Sequence, residues 1–222
     1  QYLLSEYSLP EIQQADLAPL ALQLLRWGVN DLSELCWLDP PPEAAYSQAV
    51  DLLQKLGAVD VLEGSRLHLT AHGKSMSLMP AHPRLAHMLL QSIPYGRQRE
   101  ASVVASILSD RDPFAFLGAD LAERVSIVMG KVACPQNNRR WLKRMQQQMR
   151  VFERLCEQVK SNDGCVDMMQ SEQALGYIVA CAYPDRIANK QDKQGEKYRL
   201  TNGRSAVLSR ADSLTSSEWI SV

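Results

Sequence analysis

Three groups of residues in this 222-residue chain have types and spacings that could do chemistry. Gly73-Lys74-Ser75 has the ending of a phosphate-binding loop, in which glycine-rich backbone presents N–H groups to phosphates and the lysine neutralises them. Such a loop needs an earlier glycine at position 68, which is His68, so no nucleotide site is expected and Gly73 reads as a turn residue. His68 and His72 stand four apart, the spacing of a helical metal pair, but they straddle a strand end and a turn, with no Cys or carboxylate placed to complete a shell. Packing or polar contact is the expectation for them, as it is for His82 and His87 on either side of Arg84. No Ser, His and Asp set can be assembled, so catalytic residues, cofactor-binding residues and metal ligands are all expected to be absent.

The third group lies on a helix predicted over residues 138–160. At the helical period Trp141, Met145, Met149, Phe152, Leu155, Cys156 and Val159 share one sector. Arg139, Arg140, Lys143, Arg144, Gln147, Arg150 and Arg154 share the opposite one. A basic stripe is often no more than a solvated face. Here a single acid near its end, Glu157, interrupts it, and Gln146-Gln147-Gln148 add neutral donors and acceptors suited to phosphate and sugar. The candidate nucleic-acid-binding residues are Arg84, Arg97, Arg99, Arg139, Arg140, Lys143, Arg144 and Arg150.

A formal net charge of −1 argues by itself against a polyanionic partner, but the charges are segregated. Residues 1–63 hold only Arg26 and Lys55 as basic groups among ten acids, whereas residues 84–160 are strongly basic. The two regions can therefore bind different things. A hydrophobic content of 45% is ample for real cores, and the five scattered Cys, with no C-x-x-C pair, predict reduced and mostly buried thiols. No apolar run approaches the ~20 residues of a membrane span and no basic-then-apolar leader opens the chain, so a soluble cytoplasmic protein with no membrane partner is expected.

The elements that must carry these groups follow from periodicity and punctuation. Residues 1–14 read as an extended connector. Asp16 is placed to cap a helix over 17–27, with Leu17, Leu20, Leu24 and Trp27 on one face and Gly28 at its end. A short helix over 31–36 and Pro40-Pro41-Pro42 lead to a third helix over 43–56, burying Ala45, Ala49, Leu52, Leu53 and Leu56. Extended runs at 58–62 and 66–69 flank a turn at 63–65, and Thr70 caps a short helix reaching Met79. Helices followed by a β-hairpin are the pattern of a winged helix. In a DNA reader the third helix would enter the major groove, yet here it presents Glu43, Asp51 and one Lys55, so a structural hub is expected instead.

Beyond Pro83, helices are predicted over 85–92, 100–109 and 117–131, the second stopped by Asp110-Arg111-Asp112-Pro113. After the basic helix come a polar linker at 161–164, a helix over 172–183 capped by Ser171, and strands at 198–200 and 205–208 joined by Asn202-Gly203. Residues 219–222 read as a further strand. The predicted organisation is a connector and winged helix over 1–80, a helical bundle over 81–160 and an α+β piece over 161–222. The fold class is mainly α with short β-hairpins.

The order of residues resembles a known family. Leu56-Gly57-Ala58-Val59-Asp60, then Leu69-Thr70-Ala71-His72-Gly73-Lys74-Ser75-Met76-Ser77-Leu78-Met79-Pro80 and His82-Pro83-Arg84-Leu85-Ala86-His87-Met88, look like the winged-helix to ratchet junction of DEAH-box ATP-dependent helicases. Pro10-Glu11-Ile12, Ala15-Asp16-Leu17 and Trp37-Leu38-Asp39-Pro40-Pro41-Pro42 match in order and spacing. Ala182-Tyr183-Pro184-Asp185-Arg186-Ile187-Ala188 and Thr201-Asn202-Gly203-Arg204 resemble the bacterial HrpB branch more specifically.

The resemblance implies that the bundle is a ratchet domain and that 161–222 begins an OB-like or HrpB-specific region, expected here to be incomplete or poorly packed. It implies motor domains elsewhere in a longer chain that bind ATP and Mg and hydrolyse the nucleotide, since this stretch has no Walker loop and no Asp-Glu-Ala-His box. A first residue other than Met agrees with that expectation. The implied partners are the motor domains and single-stranded nucleic acid, RNA before DNA, held in a channel that the winged helix and ratchet close. Arg84 would then guard the channel entrance or tie ratchet to winged helix through Asp39 or a nearby acid, and the tie is favoured. The reading from another class is a free-standing winged-helix transcription regulator with a helical dimerisation module.

Overall fold

The computed structural model describes residues 9–62, 66–159, 171–191, 196–209 and 212–222. The turn expected at 63–65, the linker at 161–164, Cys165 and the first eight residues lie outside them. The chain divides into two compact units, Gln1–Pro83 and Arg84–Val222.

In the first unit, helix α1 (Ala18–Arg26) starts where Asp16 Oδ1 accepts the Ala18 N–H at 2.8 Å. Gly28, at φ 88°, releases the chain. Trp27 does not join the core; it is 73% exposed, because the buried arc centres on Ala18, Ala21 and Leu25 and turns Trp27 to the far side. The helix expected over 31–36 is a single 3₁₀ turn, Leu32–Glu34, closed by a capping box of Asp31 and Glu34. Helix α2 (Glu43–Lys55) follows the prolines and buries Tyr46, Ala49, Val50 and Leu53, leaving Asp51 and Lys55 exposed.

Strands β1 (Val59–Val61) and β2 (Leu67–Leu69) pair antiparallel, Val59 opposite Leu69 and Val61 opposite Leu67. Thr70 then caps α3 (Ala71–Ser77), its Oγ1 accepting the Gly73 N–H at 2.9 Å. Gly73 is therefore a helical residue and not the turn residue expected. It is required for another reason: a Cβ there would overlap the Ala58 carbonyl oxygen and Leu69 Cδ1, so only glycine lets α3 lie this close to the hairpin.

The second unit continues α4 (Pro83–Ser92) into α5 (Gln98–Leu108), which is buried from Ala101 through Ile107 and forms the axis of the bundle. The helix expected over 117–131 is much shorter, α6 (Ala122–Val128). A 3₁₀ turn, Ala115–Leu117, and Gly118 at φ 77° take its first part. Helix α7 (Arg139–Gln158) packs along α5, and Val103, Ile107, Phe114, Ile127, Val128, Trp141, Met145 and Met149 form one core, with Phe114 edge-on to Trp141 at 5.1 Å between ring centres.

Helix α8 (Ser171–Ala182) also packs on α5 and leads into a four-stranded antiparallel sheet. Its strands are β3 (Ile187–Lys190), β4 (Lys197–Leu200), β5 (Ser205–Val207) and β6 (Trp219–Ser221), in the order β5-β4-β3-β6. Strand β3 was not legible as one, while the Asn202-Gly203 turn, with Gly203 at φ 82°, is as expected. Poor packing is not observed in the described sheet. Tyr198 and Ala188 are fully buried, and the Tyr198 hydroxyl lies 3.1 Å from the Leu214 carbonyl and 2.8 Å from that of Ser217. Mainly helical, with two small antiparallel sheets, the fold is of the class expected.

Candidate nucleic-acid interface

Helix α7 is continuous because its twenty residues contain neither glycine nor proline, and Pro135 with a 3₁₀ turn, Gln136–Asn138, sets its start. Trp141, Met145, Met149, Phe152 and Cys156 are buried. Burial also raises the Cys156 thiol to about 11, so it stays protonated and inert. With that face fixed, Arg139, Arg140, Lys143, Arg144, Gln147, Arg150 and Arg154 are all exposed, as the period required.

The exposed groups are not equivalent. Arg140, Lys143, Gln147, Arg150 and Arg154 follow one another at steps of three and four, a single ridge that rises about 5 Å per step. Arg139, Arg140, Lys143, Arg150 and Arg154 make no ion pair among the described residues. Arg144 is engaged: its Nε and Nη2 donate to Asp110 Oδ2 at 3.0 and 2.7 Å, and that pairing holds the Asp110 carboxyl below its usual range. Gln146 is also engaged, donating to the Val128 carbonyl at 3.3 Å.

Three other candidates are drawn away from the ridge. Arg97 pairs with Glu100 at 2.9 Å with only 13% of its side chain exposed. Arg99 is open to solvent and lies 3.8 Å from Glu153, close enough for its charge to be partly offset. Arg84 is buried and pairs with Asp185, which joins α4 to the end of α8 and the start of the sheet within the second unit. Arg124 counts in the basic total of 84–160 yet is 2% exposed, bonded to Asp112 and to the carbonyls of Asp120, Phe114 and Gly118. Arg154, not among the eight candidates, belongs with the ridge by its position.

His68 stands on β2 and His72 on α3, and burial lowers the His72 pKa. Among the described residues no group of three His, Cys, Asp or Glu is arranged to hold a metal, and no helix is long and apolar enough to cross a membrane.

No family model matches the chain. The ATP-dependent RNA helicase HrpB of Escherichia coli is 34% identical over 211 residues, which is 95% of this chain and 23% of that protein. A crystal structure of the Escherichia coli DExH-box NTPase HrpB superposes with a TM-score of 0.72 at 32% identity, over 96% of this chain and 23% of the other. The chain is a homologue of the HrpB helicases. HrpA of Escherichia coli is 36% identical over 109 residues, 49% of this chain and 8% of its own length, so the likeness to HrpB is the more extensive. The chain thus spans less than a quarter of the HrpB protein it matches. This likeness supports the helicase reading and not that of a free-standing regulator.

Proposed function

We propose that this chain is the part of an HrpB-type ATP-dependent RNA helicase that lines the path of the nucleic acid, with α7 holding the backbone of a single strand. On this reading 9–80 is a winged helix that braces motor domains, 81–159 is a ratchet domain, and ATP and Mg belong to the motor domains. Its compartment is the cytoplasm, and its strand is RNA before DNA, as the name of the HrpB relative suggests.

The observation that carries the proposal is the ridge of cations on α7 that no acid among the described residues neutralises. Lysine and arginine in single file, with a glutamine among them, suit a chain of phosphates. Charged groups without partners are otherwise costly to line up, since like charges a turn apart repel. A polyanion relieves that repulsion and releases its counterions on binding.

The test is the salt dependence of binding to a short oligouridylate. Replacing Arg140, Lys143 and Arg150 together by Gln removes three phosphate contacts, and each contributes roughly −0.7 to the slope of log K against log salt on a single strand. The slope is expected to flatten by about two units while the melting temperature stays within a degree or so, because the buried face is untouched. An unchanged slope would show that α7 is a solvated face.

A further inference from the structure

We propose that the first unit binds an acidic peptide in extended form, laid as a third strand along the open edge of β2. Its carboxylates meet Arg26, Arg66 and Lys74, and its aliphatic side chains lie among leucines. Residues 1–83 hold ten Asp and Glu but only four Lys and Arg, namely Arg26, Lys55, Arg66 and Lys74. Three of those four line one open cavity of about 670 Å³, walled by α1, β2 and α3. Among the described residues no Asp or Glu lines it, and none of the three cations makes an ion pair. In an acidic unit, that clustering marks a place for negative charge.

The backbone is placed to pair. Leu67, His68 and Leu69, three consecutive residues of β2, all line the cavity. Successive side chains of a strand point to opposite faces, so a cavity that meets all three lies along the strand's edge. That edge is open, because among the described residues β1 and β2 form a sheet of two strands. The Leu62 N–H donates to the Arg66 carbonyl and the Thr70 N–H to that of Ala58, so 66, 68 and 70 face β1. The N–H and carbonyl groups of Leu67 and Leu69 therefore turn away from β1, as a third strand requires.

The rest of the cavity selects the class of peptide. Leu25, Leu62, Leu67 and Leu78 supply an aliphatic wall, of which Leu62 and Leu78 are 50% and 63% exposed. Covering such side chains favours a docked chain. Among the described residues no Trp, Tyr or Phe lines the cavity, so a nucleobase has no such ring to stack on. Arg26 is held by donating Nη1 to the Ser77 carbonyl at 3.1 Å, which leaves the rest of its fork for a carboxylate. Arg66 and Leu67 lie on opposite faces of the same strand, so acid alternating with aliphatic residue matches both.

The test is fluorescence anisotropy with the whole chain and a labelled peptide of alternating Glu and Val, a pattern that favours the extended form. Saturable binding that weakens with salt is expected. Arg66→Gln with Lys74→Gln should weaken it about tenfold, the scale of two exposed ion pairs, at an unchanged melting temperature. Leu78→Ser should weaken it about fivefold with no change in salt dependence. Of two versions of the peptide N-methylated on alternate residues, one should bind as the unmodified peptide does and the other should not, because only one edge of the added strand meets β2.

Absence of saturable binding to the parent chain overturns the proposal. So does equal affinity for a peptide with Ser in place of Val, which would mean that the cavity attracts charge alone. Equal affinity for both methylated versions excludes strand pairing and overturns it as well. The salt slope for oligouridylate separates this site from α7, since the Arg66 and Lys74 variant should keep the parental slope. A flattened slope there would make the cavity a nucleic-acid contact and sink the peptide, whatever the α7 triple variant shows.

Discussion

Arg84 grips Asp185 from 101 residues away, with Nη1 to Oδ1 at 2.5 Å and Nη2 to Oδ2 at 2.9 Å. The two parallel bonds are the strongest geometry open to a guanidinium and a carboxylate. Arg84 also donates to the Ala182 carbonyl at the end of α8 and lies 5.2 Å from the centre of the Tyr183 ring, which Arg186 approaches at 5.3 Å. The first turn of α4 is thereby joined to the end of α8 and the start of the sheet.

Asp185→Ala leaves a guanidinium with 10% of its side chain exposed and its main partner gone. Breaking one side of a buried pair typically costs about 3 kcal/mol or more, and Asp185, at 30% exposure, argues for the lower end. Urea denaturation should show that loss, and Arg84→Met, which removes the charge but keeps the bulk, should lose less. Equal urea midpoints for Asp185→Ala and the parent would mean that the pair is ornamental.

The same pair gives stability a pH dependence. The Arg84 hydrogen bonds hold the Asp185 carboxyl below its ordinary value of 3.8, so the folded state binds that proton less readily than the unfolded state. Its contribution is whole above that value and is lost as the pH falls below about 4, through the folded pKa. Melting temperatures measured down to pH 3 should fall less steeply for Asp185→Asn than for the parent.

Gly73→Ala should destabilise the first unit by about 3 kcal/mol, the upper range for forcing an extra methyl into a packed site, because the obstacle is the Ala58 backbone and cannot rotate away. Circular dichroism melts give the measurement. Gly203→Ala, where nothing stands within 4 Å but φ is 82°, should cost about 1 kcal/mol from strain alone.

ATP should not bind the chain. The Gly73 N–H is spent on Thr70 Oγ1 at 2.9 Å and the Lys74 N–H on the Thr70 carbonyl at 2.9 Å, so the backbone donors that would cradle phosphates are closed into α3. Isothermal calorimetry at micromolar ATP should show no saturable heat; a saturable one would mean that this junction opens in solution.

Much of the local structure was legible because it rests on short-range rules. The cap at Thr70, the hairpin at Asn202-Gly203 and the continuity of α7 each depend on residues within a few positions of one another. The elements misread were those settled from outside. Helix α6 is short because Arg124 gathers the carbonyls of Phe114, Gly118 and Asp120 into an irregular loop, and β3 exists because β4 and β6 flank it. Four residues with one polar-rich pattern carry no strand signal of their own.

For the candidate site, the sequence by itself determined the amphipathic α7 and hence which seven polar side chains must face away from Trp141 and Met145, since a helical period allows only one burial. Only the tertiary structure decided which cations remain available. Arg84, Arg144 and Arg124 meet Asp185, Asp110 and Asp112 from elsewhere in the chain, whereas Arg140, Lys143, Arg150 and Arg154 meet no described acid. Charge is a property of a residue, but its neutralisation depends on a partner a few ångströms away, and distance across a fold is not written in the order of the chain.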